Sequence, residues 1–251
     1  MLNPLIKRRQ SYRPERAFVL RGSTSVFVRR FTFRLNCLGT HSSACEEPTQ
    51  GMTASRSRNL EEPFLAPIEE PKDPVLRQIF AAQKAYLGKV ITPSKVHSAR
   101  LPPAFAQFYG KIGELDRELG LSPEMALLIR GQVARLNVCL FCMDSERAAA
   151  IQRSMNQAKF DALDEYDVSP VFTDAERAAL DYVTRLTKDK KVDPGVFDRV
   201  ARYYSEREIC EMVYLVASEH VYNMTNIGLN IHSDMLCDLA KKRRYEQTEK
   251  A

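Results

Sequence analysis

An all-α fold is predicted by two observations on this sequence. Helix start and stop signals follow one another from residue 73 to residue 228, whereas the patterns that mark strands do not recur there. No repeat of fixed period accompanies them, which argues against a stacked-repeat architecture. With 251 residues, 44% of them hydrophobic, the chain is long enough to bury one sizeable core. We therefore expect a single helical domain.

The first two predicted helices both begin at a proline. Asp73 supplies an N-cap before Pro74, and Gly88 ends the segment, so a helix is expected over residues 74–87. A second helix begins at Pro103 and is expected to end at Gly120. The residues of its apolar stripe, expected on one side of the helix, are Phe105, Phe108, Ile112, Leu115 and Leu119.

The third helix is expected to lead directly into a pair of cysteines. Ser122-Pro123-Glu124 begins it, and it runs to Asn137. If Asn137 caps a new helix, Cys139 lies in the first turn and Cys142 just beyond it. There the unpaired backbone N–H groups and the positive helix end favour a thiolate. The new helix is expected to continue through Ile151.

Three further helices are predicted towards the C-terminus. Thr173-Asp174-Ala175-Glu176 forms a capping box for a helix that extends to about residue 188, and Asp193-Pro194 begins the next one. A second capping box, Ser205-Glu206-Arg207-Glu208, begins the longest apolar helix, which extends towards residue 228.

The motif Cys139-Leu140-Phe141-Cys142 has enough chemical specificity to indicate a function. Two thiols separated by two residues can close a disulfide on one helical turn, and a reversible disulfide exchanges two electrons. The same spacing also occurs in half of a zinc site or in two packed cysteines. Zinc needs two further ligands, which His220, His232 and Cys237 would supply only by chance of folding. Thiol redox chemistry without a metal or other cofactor is therefore the leading hypothesis.

Positive charge is concentrated at the N-terminus. The chain has a net charge of +5, but residues 1–44 carry nine Lys or Arg and a single acid, which leaves the remaining 207 residues at −3. The folded part has no basic stripe, so nucleic acid is not an expected partner. Residues 1–60 are interpreted as a basic, disordered extension, either an over-long reading frame ahead of Met52 or a mitochondrial-type presequence. Residues 61–251 are interpreted as the helical domain.

Neither a membrane partner nor secretion is expected. No apolar run reaches the roughly 18 residues needed to span a bilayer, and no secretory signal is recognisable. The six cysteines are too scattered for a disulfide framework, and Cys37 and Cys45 lie in the extension. The expected location is the cytoplasm, with the mitochondrial matrix as the alternative. Cys210 and Cys237 are interpreted as buried apolar residues.

The cysteine motif and its surroundings resemble the carboxymuconolactone decarboxylase and alkylhydroperoxidase D-like (AhpD-like) family. The resemblance spans about residues 70–238 and rests on the segments Leu121-Ser122-Pro123, Ala134 to Cys142, Glu219 to Leu229 and Ser233 to Cys237. It implies an AhpD-like helical bundle, an oligomer, and in the redox branch a cysteine pair that reduces peroxides. The implied roles are Cys142 as attacking thiolate and Cys139 as resolving thiol. A small-molecule peroxide and an external dithiol reductant are the implied partners.

Two residues of that family's proton relay are absent from their expected positions. Redox members carry a glutamate twelve residues before the first cysteine, where this chain has Leu127, and a histidine four residues after the second, where it has Glu146. Glu124 lies one helical turn before Leu127, and Glu146 shares a helical face with Cys142, so both are candidate replacements. A carboxylate beside a thiolate also raises the thiol pKa. His220, on the longest helix, is the remaining candidate base.

Three functions stay open at this point. Besides a thiol peroxidase, a carboxymuconolactone decarboxylase-like lyase would need cations for a lactone acid, for which Arg130 and Arg135 are the nearest candidates. A non-catalytic oligomeric scaffold or small-molecule binding protein would need neither group. A homo-oligomer is expected because the helix over residues 206–227 carries apolar residues on more than one side.

Overall fold

The computed structural model describes residues 61–249, which form ten α helices and no strand. The predicted all-α fold is therefore confirmed. The helices are α1 (Pro74–Leu87), α2 (Thr92–Val96), α3 (Pro103–Leu115), α4 (Pro123–Leu136), α5 (Leu140–Gln152), α6 (Gln157–Asp161), α7 (Asp174–Asp189), α8 (Pro194–Val200), α9 (Glu206–Gly228) and α10 (Leu236–Thr248). The predictions for residues 1–60, including Cys37 and Cys45, lie outside the described residues.

Local capping determines where most of the predicted helices begin and end. The Asp73 carboxylate accepts hydrogen bonds from the first backbone N–H groups of α1, and Gly88 ends that helix with a left-handed φ of 86°. Both predicted capping boxes are present, at Thr173 before α7 and at Ser205 before α9. These signals involve residues at most three or four positions apart, which explains why the sequence predicts them well.

Helix α3 is shorter than predicted. It ends at Leu115, and a 3₁₀ turn, Asp116–Glu118, follows. The Glu211 carboxylate on α9 accepts hydrogen bonds from the backbone N–H groups of Gly120 and Leu121 at 2.9 Å, and this tertiary contact fixes the chain beyond the helix. Within the apolar stripe, Ile112 is buried and Leu119, which lies beyond the helix, is half-buried, whereas the other three residues are exposed. The exposed residues are Phe105, Phe108 and Leu115.

Helix α10 was not predicted because its N-terminus is capped by a residue far away in sequence. The Asp144 carboxylate on α5 accepts hydrogen bonds from the backbone N–H groups of Leu236 (2.8 Å) and Cys237 (2.9 Å). Cys237 is half-buried and donates from its thiol to the Asp144 carbonyl. Cys210 is exposed on α9, so its predicted burial is wrong, because it lies on the side of the helix away from the core.

Helix α4 lies at the centre of the fold. It packs against α5, α7 and α9, and its residues Leu128, Ile129 and Val133 are fully inaccessible to solvent. A second apolar cluster surrounds the start of α5 and includes both cysteines of the motif. This arrangement holds the cysteine pair between α4, α9 and α10. Within residues 61–249, no helix is both long enough and apolar enough to cross a membrane.

Candidate active site

The end of α4 sets the register of the cysteine pair. The N–H of Val138 donates to the Arg135 carbonyl and that of Cys139 to the Ala134 carbonyl, which together close a Schellman turn with Val138 in the left-handed conformation (φ 57°). Asn137 is therefore the C-cap of α4, and the expectation that it caps the new helix is wrong. Only Val138 separates the C-cap of α4 from the next helix, so Cys139 itself is the N-cap of α5.

Cys139 precedes the first turn of α5 and Cys142 lies within it, each earlier in the helix than predicted, and the two are joined as a disulfide. Their Cα atoms are 5.3 Å apart, and the exposed fractions of the two residues are 1% for Cys139 and 3% for Cys142. The backbone N–H of Cys142 donates to Cys139 Sγ at 3.3 Å. From α9, Asn226 Nδ2 lies 3.3 Å from Cys142 Sγ and 3.8 Å from Cys139 Sγ. A donor-rich environment of this kind favours a thiolate when the disulfide is reduced.

A cavity of about 1070 Å³ adjoins the cysteine pair on one side. Residues of α1, α2, α3, α4, α5 and α9 contribute to its walls, and the aromatic rings among them are those of Phe141, Tyr109, Tyr222 and His97. Cys142 lines this cavity, whereas Cys139 is not among the lining residues. A small molecule in the cavity would therefore meet Cys142 first.

A buried cluster of charged residues lies beside the cavity, with Arg130 of α4 at its centre. Arg130 donates to Glu219 Oε2 at 3.1 Å, to both carboxylate oxygens of Asp116 at 2.8 and 2.9 Å, and to Ser218 Oγ at 3.1 Å. Its guanidinium also lies 5.8 Å from the centre of the Tyr222 ring. These contacts pair the guanidinium with side chains of the protein itself. Arg130 is therefore not free to bind the carboxylate of a lactone acid in the cavity.

Two carboxyl groups of this cluster titrate near neutral pH. Burial raises the pKa of Glu146 to about 7, with Asp116 adding to the rise and Arg130 opposing it. Burial, followed by the neighbouring Glu146, raises the pKa of Glu219 to about 8, although Arg130 and a hydrogen bond from Asn223 stabilise its ionised form. Because ionised Glu146 raises the pKa of Glu219, the two carboxyl groups titrate as a coupled pair.

The predicted site residues divide into two groups in the structure. Cys142 and Glu146 line the same cavity, one helical turn apart on α5, and Cys139 adjoins Cys142. Glu124 instead forms an ion pair with Lys159 at 2.8 Å and accepts a hydrogen bond from the Asn156 backbone. His220 contacts Lys190 Nζ at 3.0 Å and the Val216 carbonyl at 2.8 Å. Neither Glu124 nor His220 is a cavity-lining residue.

Sequence reasoning missed the polar face of α9 that reaches the site. Glu219, Asn223 and Asn226 follow one another at helical spacing on α9, and all three are buried. Asn137 Nδ2 donates to Asn223 Oδ1 at 2.7 Å, which links the end of α4 to this face. Polar residues at positions i, i+4 and i+7, which share one face of a helix, were the available signal.

Arg135, the other cation considered for a lactone acid, forms an ion pair with Asp164 at 2.6 Å. Within residues 61–249 there is no group of three or more His, Cys, Asp or Glu side chains arranged to hold a metal ion.

Comparisons with known proteins identify the fold. No protein-family model matches the chain. The protein YnjA of Escherichia coli K12 is 25% identical over 171 residues, which cover 67% of this chain and 93% of YnjA. Among solved structures, the debrominase Bmp8, in its C82A form with 2,3,4-tribromopyrrole, superposes with a TM-score of 0.61 at 20% identity and covers 71% of this chain and 96% of its own.

A second structure gives the same result. An uncharacterised peroxidase-related protein of Ralstonia eutropha JMP134, described as an alkylhydroperoxidase AhpD core, has a TM-score of 0.58 at 15% identity. It covers 68% of this chain and 95% of its own. The helical architecture around the cysteine pair is therefore the AhpD and carboxymuconolactone decarboxylase fold.

Proposed function

We propose that this protein is a thiol-disulfide oxidoreductase that reduces peroxides with its Cys139–Cys142 pair. The observation that carries the proposal is the position of the pair, at the N-terminus of α5 with Cys142 on the wall of a large cavity. A thiolate at a helix N-terminus is stabilised by the unpaired backbone N–H groups. The AhpD-type and peroxidase-related fold neighbours support the same assignment.

The reaction would proceed in three steps: reduction of the peroxide, formation of the disulfide, and reduction of the disulfide by an external dithiol. The Cys142 thiolate attacks the terminal oxygen of a hydroperoxide, the O–O bond breaks, and the products are a Cys142 sulfenic acid and an alkoxide. The Cys139 thiol then attacks the Cys142 sulfur, so that the disulfide forms and water leaves. An external dithiol reduces the disulfide and becomes oxidised in turn. In the net reaction, two electrons pass from the dithiol to the hydroperoxide, which is reduced to an alcohol and water.

Glu146 is the proposed proton donor to the leaving alkoxide. Its raised pKa of about 7 keeps a substantial fraction of the carboxyl protonated at neutral pH, which supplies an acid one helical turn from Cys142. The protonated form also removes the negative field that would otherwise raise the pKa of the thiol. Glu219, with a pKa of about 8, is the adjoining reservoir from which Glu146 is reprotonated.

Peroxide consumption by the full-length reduced protein tests the function. We expect continuous turnover of cumene hydroperoxide with dithiothreitol as the reductant. Without reductant, one equivalent of peroxide should remove two thiols, and peptide mass mapping should locate them in a Cys139–Cys142 disulfide. The Cys142→Ser variant should lose turnover, whereas Cys210→Ser, which changes an exposed cysteine outside the site, should retain it. The absence of turnover in the wild-type protein would contradict the proposal and favour the scaffold or binding protein.

Reductive dehalogenation of an aromatic ring is a second candidate. It is favoured by the cavity volume of about 1070 Å³, far more than a small peroxide fills, and by the likeness to Bmp8, a debrominase solved with a tribrominated pyrrole. In that reaction Cys142 would accept the halogen, the ring carbon would take a proton, and Cys139 would displace halide as the disulfide forms. Stoichiometric bromide release from 2,3,4-tribromopyrrole by the reduced protein, with no reaction towards hydroperoxide, would select this candidate.

A further inference from the structure

Asn226 contacts both sulfur atoms of the cysteine pair. Its amide Nδ2 lies 3.3 Å from Cys142 Sγ and 3.8 Å from Cys139 Sγ, so it is closer to the sulfur on the cavity wall. The residue is only 3% exposed, and it lines the cavity beside Cys142. A buried amide donor at this distance stabilises a thiolate more than a thiol, because a hydrogen bond to an ionised acceptor is the stronger one.

Among residues 61–249, the oxygen of the same amide has no hydrogen-bond partner. Asn226 Oδ1 is buried and unpaired among residues 61–249. The other buried asparagine of this helix, Asn223, is paired on both sides, to Asn137 and to Glu219. An unpaired buried acceptor is costly, and a ligand or water that supplies the missing donor removes that cost. In this case the acceptor belongs to a cavity-lining residue next to the reacting sulfur.

We infer that Asn226 is a catalytic residue that binds the thiolate with Nδ2 and a substrate O–H group with Oδ1. This inference rests on the proposed thiol peroxidase function and names its substrate as a protonated hydroperoxide with an apolar body. The apolar body suits the aromatic and aliphatic walls, including Phe141, Tyr109 and Tyr222. The O–H group suits Oδ1, which accepts but cannot donate.

The hydrogen bond to Asn226 would persist through the first chemical step. The hydroperoxide O–H donates to Oδ1, and its terminal oxygen is the atom that Cys142 Sγ attacks. That oxygen and its hydrogen become the sulfenic O–H of Cys142, which keeps the same acceptor. The leaving alkoxide takes its proton from Glu146, so atoms and charge balance. One amide would thus hold nucleophile and electrophile together in a reactive orientation.

Two variants and one control test the donor and the acceptor of the Asn226 amide separately. Asn226→Leu removes donor and acceptor at similar volume, while Asn226→Asp keeps an acceptor in the same shape but replaces the donor by a carboxylate oxygen. Thr225→Val is the matched control, because Thr225 lines the same cavity and its hydroxyl contacts Tyr109 and the Val221 carbonyl rather than a sulfur. Circular dichroism establishes that each variant is folded.

The pKa of Cys142 tests the donor. In a Cys139→Ser background of the full chain, the pH dependence of iodoacetamide alkylation is read from the Cys142 peptide by mass spectrometry. We expect the thiol pKa to rise by about one unit in Asn226→Leu and by more in Asn226→Asp, because a hydrogen bond to an ionised group is lost. Thr225→Val should leave it unchanged. An unchanged pKa in Asn226→Leu would overturn this half of the inference, because the carboxylate of Asn226→Asp raises the pKa of a neighbouring thiol by its charge alone.

Two oxidants test the acceptor. Second-order rates, divided by the thiolate fraction, are compared for cumene hydroperoxide, which carries an O–H, and for 4,4′-dithiodipyridine, which has no such donor. Asn226→Leu should react about tenfold or more slowly with the hydroperoxide and at an unchanged rate with the disulfide, whereas Asn226→Asp should retain the hydroperoxide rate. An equal fall with both oxidants would overturn the substrate role.

The same experiment distinguishes this inference from the proposed function. If the wild-type thiolate reacts with the disulfide and not with the hydroperoxide, the peroxidase proposal fails and the substrate half of this inference fails with it. The alkylation measurement then still decides whether Asn226 stabilises the thiolate.

Discussion

Arg130 and Glu219 form a buried ion pair between α4 and α9, with Arg130 Nη1 3.1 Å from Glu219 Oε2 and both residues less than 5% exposed. Burial alone lowers the pKa of Arg130, but Glu146, Glu219 and Asp116 together raise it, so the cation is permanent. The carboxyl groups, by contrast, have raised pKa values of about 7 and 8. A permanent positive charge therefore lies beside two carboxyl groups, Glu146 and Glu219, that gain or lose a proton near neutral pH.

Replacing Arg130 by methionine should destabilise the fold in a pH-dependent manner. Because the folded-state pKa of Glu219 lies above its unfolded value, the native protein binds more protons, and its free energy of unfolding decreases as pH rises from about 4.5 to 8. Removal of Arg130 leaves the ionised carboxylates uncompensated and raises their folded pKa values further. We expect a loss of about 3 kcal/mol at pH 8.5 and a smaller loss at pH 6, measured by urea unfolding.

Arg135→Met is the control for that measurement. Arg135 pairs with Asp164, whose side chain is largely exposed, so the expected loss is below about 1 kcal/mol and depends little on pH. An Arg130→Met loss of the same size at both pH values would contradict the coupling of this cation to the two carboxyl groups.

The Glu146→Gln variant should change the pH dependence of peroxide reduction. The acid form of Glu146 is present below its pKa of about 7 and is lost as pH rises through that value, so the wild-type rate per thiolate should fall above pH 7. Glutamine cannot donate the proton, and we expect the rate per thiolate at pH 6 to fall at least about tenfold and to become independent of pH.

The Glu124→Gln variant is the matched control for Glu146, because Glu124 is paired with Lys159 outside the cavity. Its rate and pH profile should stay within a factor of about two of the wild-type values. Retention of the pH 7 transition in Glu146→Gln would show that another group supplies the proton.

Val138→Gly should stabilise the protein despite its position beside the cysteines. A β-branched residue at φ 57° pays a steric cost that glycine avoids, although glycine also has more conformational freedom in the unfolded chain. We expect a net gain of roughly 0.5 to 1 kcal/mol by urea unfolding. The same change at Val168, an exposed residue without positive φ, should instead reduce stability. A loss at both positions would mean that Val138 carries no strain.

Helix boundaries set by local caps could be predicted from the sequence, and those set by distant contacts could not. Asp73, Thr173 and Ser205 act within a few residues of themselves, so their helices were predicted correctly. The start of α10 depends on Asp144, about 90 residues earlier, and no local pattern reveals that contact.

The candidate site shows the same division. Cys139, Cys142 and Glu146 lie within eight residues, so their spacing alone predicts that they share a helix. Glu219 and Asn226 reach the site only because α9 packs against α4 and α5, and which of its faces does so is a tertiary property. Glu124 and His220 were plausible by type and spacing, but the packing directs them to Lys159 and Lys190.

An oligomer remains a prediction, and one face of α9 offers the means to test it. Val213, Met224 and Ile227 are exposed apolar residues at helical spacing on this face. We expect the full-length protein to be oligomeric by size-exclusion chromatography with light scattering, and a Val213→Glu/Met224→Glu double variant to be smaller. Val168→Glu, which changes an exposed residue in a loop, should keep the wild-type mass. A monomeric wild-type protein at micromolar concentration would contradict the prediction.

The most direct measurement is to trap the first oxidised intermediate and locate it. In the Cys139→Ser variant the Cys142 sulfenic acid cannot be resolved, so one equivalent of cumene hydroperoxide followed by dimedone should label Cys142. In the Cys142→Ser variant, Cys139 is buried away from the cavity lining and should remain unlabelled. A dimedone adduct on Cys142 alone is the predicted result. An adduct on Cys139, or no adduct on either cysteine, would contradict the assignment of Cys142 as the peroxide-reducing thiolate.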